Sequence, residues 1–211
     1  MSVISIVSEG VTDQTFIEEL IFEACDFEVE PEFIYSQPAR DATDSSGSTF
    51  GGWEAVFEFC EEHFETLSQT ADFIIVQIDT DCGYHKNFGV NLHNFGVLRS
   101  DFDIRKDTID VLLGKIGAPK GSDLSNVIFA VCVTSLECWI IMAGHGIEKK
   151  TGGEKWLQRK CGKDFSKTVE SCKSLCRDID LEHIQKILET HDLKLFLCEF
   201  CQKVPEASLK G

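Results

Sequence analysis

The chain reads as an α/β protein, a mainly parallel sheet flanked by helices with a C-terminal helical extension, and three observations predict it. Short β-branched or apolar runs, SVISIV at 2–7 and NVIFAVCV at 126–133 among them, are separated by stretches with helical periodicity. That alternation builds parallel sheets, because each strand must be returned to the same edge by a crossover helix. A composition of 43% hydrophobic residues over 211 positions is enough for one full core. From about residue 152 onward the pattern changes to short helices with no strand between them. The expected organisation is an α/β core over 1–146 and a helical extension over 147–211 packed against it.

The first strand, SVISIV, runs into Ser8-Glu9-Gly10 and then into VTDQTFIEELIFEAC, whose Phe16, Ile17, Leu20 and Ile21 recur on one helical face. Thr12 is the expected cap of that helix, with Asp13 and Gln14 in its first turn. Glu9 then stands at the carboxyl end of a strand, the edge where open parallel sheets place their sites. Asp13 is expected to point back to the same crevice. Helix-dipole compensation is the plainer role open to it.

PEFIYSQ (31–37) suits a second strand, and the polar loop at 39–52 leads into WEAVFEFCEEHFETL (53–67), a helix with Trp53, Val56, Phe57, Cys60 and Phe64 on one face. The next strand is the most informative: FIIVQIDTD (73–81) is an apolar run ending in Asp79 and Asp81. Because side chains alternate along a strand, the two aspartates project to the same side if the extended backbone persists. At about 5 Å and an effective dielectric of about 20, their repulsion is roughly 3 kcal/mol. A divalent cation relieves it, and oxygen ligands favour Mg²⁺ or Mn²⁺ over zinc. A solvated loop after a strand is the plainer alternative.

A loop at 81–96 holds His85 and His93, whose spacing suits loop packing better than ligation. A helix near 104–117 precedes the strand at 126–133. In the apolar helical segment after it, Glu137 sits among Leu136, Cys138, Trp139, Ile140 and Ile141. An acid in such company needs a partner. Either it joins the acids at the neighbouring strand ends, or it caps the helix start.

Charge divides the chain. Residues 1–105 hold 4 Lys or Arg against 21 Asp or Glu, a net −17, whereas the remainder is +1. Within 148–177, a basic run that includes Lys149, Lys150, Lys155, Arg159, Lys160, Lys163 and Lys167 gives a local +5 and is the candidate phosphate-facing surface. The wet faces of two short helices would look the same. Ten cysteines behind an opening without a basic leader point to a reducing cytoplasm and thiols rather than disulfides. Cys172, Cys176, Cys198 and Cys201 have helix-compatible spacing for a zinc site, but they interleave with core leucines and phenylalanines. No membrane span, Gly-rich phosphate loop or nucleophile elbow is present, which removes support for kinase, ATPase and serine-hydrolase readings.

Ser8-Glu9-Gly10 with Asp13, then Asp79-x-Asp81, then Leu136-Glu137-Cys138-Trp139 after a late strand, together resemble the Toprim fold. The likeness is to small stand-alone Toprim proteins related to the overcoming-lysogenisation-defect (OLD) nucleases of bacterial defence systems, and Gly51-Gly52-Trp53 is similar as well. It spans roughly residues 2–144. It implies Glu9, Asp79 and Asp81 as catalytic metal ligands, Asp13 and Glu137 as auxiliary acids, and Mg²⁺-dependent cleavage of DNA or RNA by an antiviral effector. An accompanying ATPase partner is also implied, a homo-oligomer stays open, and an interaction subunit that cuts nothing is the alternative. The lysine that assists the family's nucleases has no clear place here, with Lys86 and the run at 149–163 as candidates. Tyr35 and Tyr84, the only tyrosines, lie in no recognisable strand-passage domain.

Overall fold

The computed structural model describes residues 1–39, 51–117, 124–162 and 166–210. Four parallel strands form the sheet: β1 (Val3–Val7), β3 (Glu32–Gln37), β4 (Phe73–Asp79) and β7 (Val127–Cys132), in the order β3-β1-β4-β7. Every strand of this sheet therefore ends at the same edge. Two small antiparallel pairs stand apart from it, β2 (Cys25–Phe27) with β8 (Ala207–Leu209) and β5 (His93–Asn94) with β6 (Val97–Leu98).

Period-2 alternation divides the core between the two faces of the sheet. Ile74, Val76, Ile78, Val127, Phe129 and Val131 pack with α2 (Trp53–Ser68) and α3 (Asp101–Ile116). Ile75, Ile128, Ala130 and Cys132 face the other way, toward α1 (Val11–Ala24) and α4 (Leu136–His145). The predicted α1 stripe of Phe16, Ile17, Leu20 and Ile21 is fully buried there. The same face is completed by α5 (Gly153–Cys161), α6 (Val169–Cys176), α7 (Leu181–Lys186) and α8 (Asp192–Lys203), through residues such as Leu157, Ile184, Phe196 and Phe200. Of the C-terminal helices α8 packs directly on β7, whereas α5 and α7 pack on α4 and α6 packs on α1.

Three expectations are corrected. Helix α1 starts at Val11 with Gly10 at the cap position and no side-chain cap, so Thr12 lies inside the helix. Helix α3 begins earlier than expected, where Ser100 Oγ accepts from Asp103 N at 3.2 Å. The segment read as a loop at 81–96 carries the start of the β5–β6 hairpin. Of the long polar loop at 39–52, positions 40–50 lie outside the described residues. No helix among the described residues is long and apolar enough to cross a membrane.

Candidate functional site

Strand order brings the predicted acids together. β1 lies between β3 and β4, and β4 pairs in turn with β7, so Glu9, Asp79 and Glu137 follow the carboxyl ends of three adjacent strands. Asp79 N donates to Glu9 Oε1 at 2.7 Å, Glu9 N donates to Gln77 Oε1 at 3.2 Å, and Gln77 Nε2 donates to Asp79 Oδ1 at 2.9 Å. Gln77 is fully buried and ties the first two strand ends to each other. Its signal in the sequence is a lone amide inside an otherwise apolar strand, which only a buried polar partner explains. Asp79 Oδ1 also accepts from Leu136 N at 3.0 Å, joining the DxD strand to the start of α4.

Asp13, on the first turn of α1, completes the group. Gly10 has an extended backbone open to any residue, yet a Cβ there would lie 2.9 Å from Asp13 Oδ2. The glycine of Ser8-Glu9-Gly10 therefore makes room for the Asp13 carboxylate. Glu137 lies in the first turn of α4 and makes an ion pair with Lys167 at 3.1 Å. At the helix start the cap position is Ser135 and no side-chain cap bond is made, so the partner of Glu137 is Lys167. Asp81 is exposed, just past Asp79.

The electrostatics separate these acids into two kinds. Burial raises the Glu9 carboxyl to about 8, opposed by the Asp79 amide, with the charges of Asp13 and Asp81 adding to the rise. Burial likewise raises Asp13 to about 7, with Glu137 adding and Lys167 opposing. Asp79 is pushed well above its ordinary value by burial and then by Glu9, Asp13 and Glu137. Burial also acts to raise Glu137, but the Ser135 hydroxyl and the Lys167 ammonium outweigh it and hold this carboxyl below its usual value. For Lys167, burial lowers the pKa, and Glu137 and Glu154 more than reverse that, keeping it charged.

Thr134 closes the edge after β7 in a conformation rare for a β-branched residue, with φ at 82°. Strain of this kind costs on the order of 1–3 kcal/mol and persists only where neighbours enforce it. Here Thr134 N donates to Thr80 Oγ1 at 2.9 Å, Thr134 O accepts from Thr80 N at 3.1 Å, and Thr134 Oγ1 donates to Lys150 O at 2.9 Å.

A cleft of about 650 Å³ opens beside this edge, lined by Asp79, Asp81 and Glu137 and also by Lys150 and Lys167. Asp13, Glu137 and Lys167 line a smaller cavity of about 30 Å³, and Glu9 lines neither. Of the basic residues proposed for phosphate contact, Lys150 lines the cleft, where it also pairs with Asp101 and Glu148. Lys149, Lys155, Arg159 and Lys160 are not part of its lining, the last three being exposed on α5, and Lys163 lies outside the described residues. Among the acids the lysine present is Lys167, which pairs with Glu137 at 3.1 Å and with Glu154 at 3.3 Å. The four cysteines weighed as a zinc set divide: Cys172 and Cys176 are buried in α6, while Cys201 Sγ lies 3.5 Å from Cys25 Sγ.

The donor set suits a hard divalent cation, since its ligands would be carboxylate oxygens whose mutual repulsion a cation relieves. Their present arrangement is looser: among the described residues no three His, Cys, Asp or Glu side chains converge on one point. Glu9 and Asp79 each commit an oxygen to a backbone amide, and Glu137 turns to Lys167. No family model, curated protein or solved structure matches the chain.

Proposed function

We propose that this chain is a Mg²⁺- or Mn²⁺-dependent Toprim-type nuclease that cleaves phosphodiester bonds of DNA or RNA. The observation that supports the reading best is the group of carboxylates at three adjacent parallel strand ends, with Glu9 and Asp79 raised by burial and by their neighbours. Glu9, Asp79 and Asp81, with Asp13 and Glu137, are the residues that would hold the metal. When bound, such an ion activates water and offsets the charge that develops on the phosphate. Without metal, burial holds the Glu9 carboxyl at about 8, so binding an ion there would release its proton. Lys167, beside Glu137, is the charge available to a phosphate at the rim.

A cytoplasmic effector role in antiviral defence, with an ATPase partner, follows from the resemblance to the OLD-type nucleases. The net −17 of residues 1–105 supports the need for a basic partner, because a polyanion is repelled by the half that holds most of the site. The incomplete convergence of the acids favours a second reading, a Toprim-shaped subunit that binds the ATPase and cuts nothing. Incubating the purified chain, with and without its partner, with Mg²⁺ or Mn²⁺ and a panel of plasmid DNA, single-stranded DNA and transfer RNA separates the two. Metal-dependent cleavage that falls about 100-fold or more in Glu9→Gln and Asp79→Asn is expected. Cleavage unchanged by both variants, or none from chain or complex, overturns the nuclease reading.

A further inference from the structure

The residues that line the cleft come from chemically unlike parts of the chain. Residues 82–100 make up the longest stretch of the chain without an Asp or Glu, inside a half that has 21 of them. Tyr84, Leu92, His93 and Leu98 of this stretch line the cleft that Asp79, Asp81 and Glu137 also line. From it projects the β5–β6 hairpin, with Phe95 and Gly96 at its turn and both at positive φ, 50° and 80°. Asn or Gly fills the first of these positions without strain, and Phe does not. The Phe95 ring is also fully exposed at 101%, and Tyr84, close in sequence, is 84% exposed. Neither the backbone nor the core gains from a phenylalanine there.

The hairpin is nevertheless firmly based. Arg99 N donates to Leu92 O at 2.9 Å, and the Arg99 guanidinium donates to Asn91 O at 2.8 Å and to Asp107 Oδ2 at 2.7 Å. An exposed aromatic held on an anchored turn is presented for contact.

We propose that this acid-free stretch is a stacking platform for unpaired nucleobases, with Tyr84 in the cleft lining and Phe95 at the tip of the hairpin whose His93 and Leu98 line the cleft, and that the cleft takes single-stranded nucleic acid. The proposal deepens the nuclease reading and rests on it. Every base has a π-face, so stacking on aromatic side chains is tolerant of sequence, whereas a duplex keeps those faces inside its own stack. In an acidic half that repels phosphate, residues 82–100 bring no carboxylate against it and expose Lys86, so a nucleic acid meets the least repulsion there. Stacking also supplies affinity that does not depend on phosphate neutralisation, of which this chain is capable of little.

The test is fluorescence anisotropy of a labelled twelve-nucleotide single strand, as DNA and as RNA, and of the matching duplex. It is run with Mg²⁺ in an Asp79→Asn background, so that binding is read apart from cleavage. The single strand is expected to bind at least tenfold more tightly than the duplex. Adding Phe95→Asn weakens single-strand binding roughly tenfold, the loss of one stacked base. Its melting temperature stays level or rises, since Asn accepts the left-handed turn, so folding damage is recognised separately. A Phe95→Trp variant gains indole emission that the single strand quenches. Equal affinity for strand and duplex, or binding untouched by both Phe95→Asn and Tyr84→Ala, overturns the platform. So does loss of a protein partner, rather than of oligonucleotide, in those variants. Single-strand binding with quenching but no metal-dependent cleavage by the wild type leaves the platform standing and sinks the nuclease reading.

Discussion

Two regions at the end of β7 hold carboxylates in opposite ways. Behind the sheet, Asp192 is 2% exposed, and its Oδ2 accepts from Val133 N at 2.5 Å and Trp139 Nε1 at 2.7 Å. His191 Nδ1 lies 2.9 Å from its other oxygen. In front, Asp79 takes bonds from Gln77 and the Leu136 amide but also meets the charges of Glu9, Asp13 and Glu137. The contrast teaches that burial alone does not mark a site. A buried acid answered by donors is a structural clamp, whereas acids that face one another raise each other's pKa and await something positive.

The largest expected effect is on the clamp. Asp192→Ala strands Val133 N and Trp139 Nε1 in the core and is expected to cost about 3 kcal/mol, or roughly 6–12 °C in Tm for a chain of this size. Calorimetry of this variant breaks the comparison if the loss is negligible. The acid group is expected to respond with the opposite sign. The double variant Asp79→Asn, Asp81→Asn raises the metal-free Tm by a few degrees, about 1 kcal/mol, and no longer gains stability from added Mg²⁺. Identical melting of wild type and double variant with and without Mg²⁺ or Mn²⁺ removes the metal site.

A smaller effect sharpens the same contrast through pH. Glu9 at about 8 and Asp13 at about 7 stand above their unfolded values of about 4.3 and 3.9. Between those limits the native state binds more protons than the unfolded one, so stability falls as pH rises. Metal-free protein is therefore expected to lose several degrees of Tm between pH 6 and pH 8.5, and Glu9→Gln to flatten that slope. A slope that Glu9→Gln leaves untouched places the titrating group elsewhere.

Much of the sheet was legible because it rests on local pattern. The predicted strands at 2–7, 31–37, 73–78 and 126–133 match β1, β3, β4 and β7 within a residue or so. The helix at 53–67 matches α2 just as closely. Residues that act across long sequence separations were not legible. Nothing local in the sequence ties Glu9 to the amide of Asp79, Lys167 to Glu137, or Asp192 to Val133. The β5–β6 hairpin was missed because strands of two residues are too short to show alternation. Gln77 was the one readable clue to the site's wiring, and its meaning depended on knowing that β1 and β4 are neighbours.

The bond from Val133 N to Asp192 spans 59 positions of sequence and also sets a timetable. During synthesis at about 5–20 residues per second, β7 is made some 3–12 s before the carboxylate that fixes its end. Until α8 arrives, one face of β7 lacks its cover and the acidic edge lacks its backing. The nascent chain therefore passes through an interval in which the strands exist but the acidic edge is not yet backed, and its assembly is timed by the synthesis of α8.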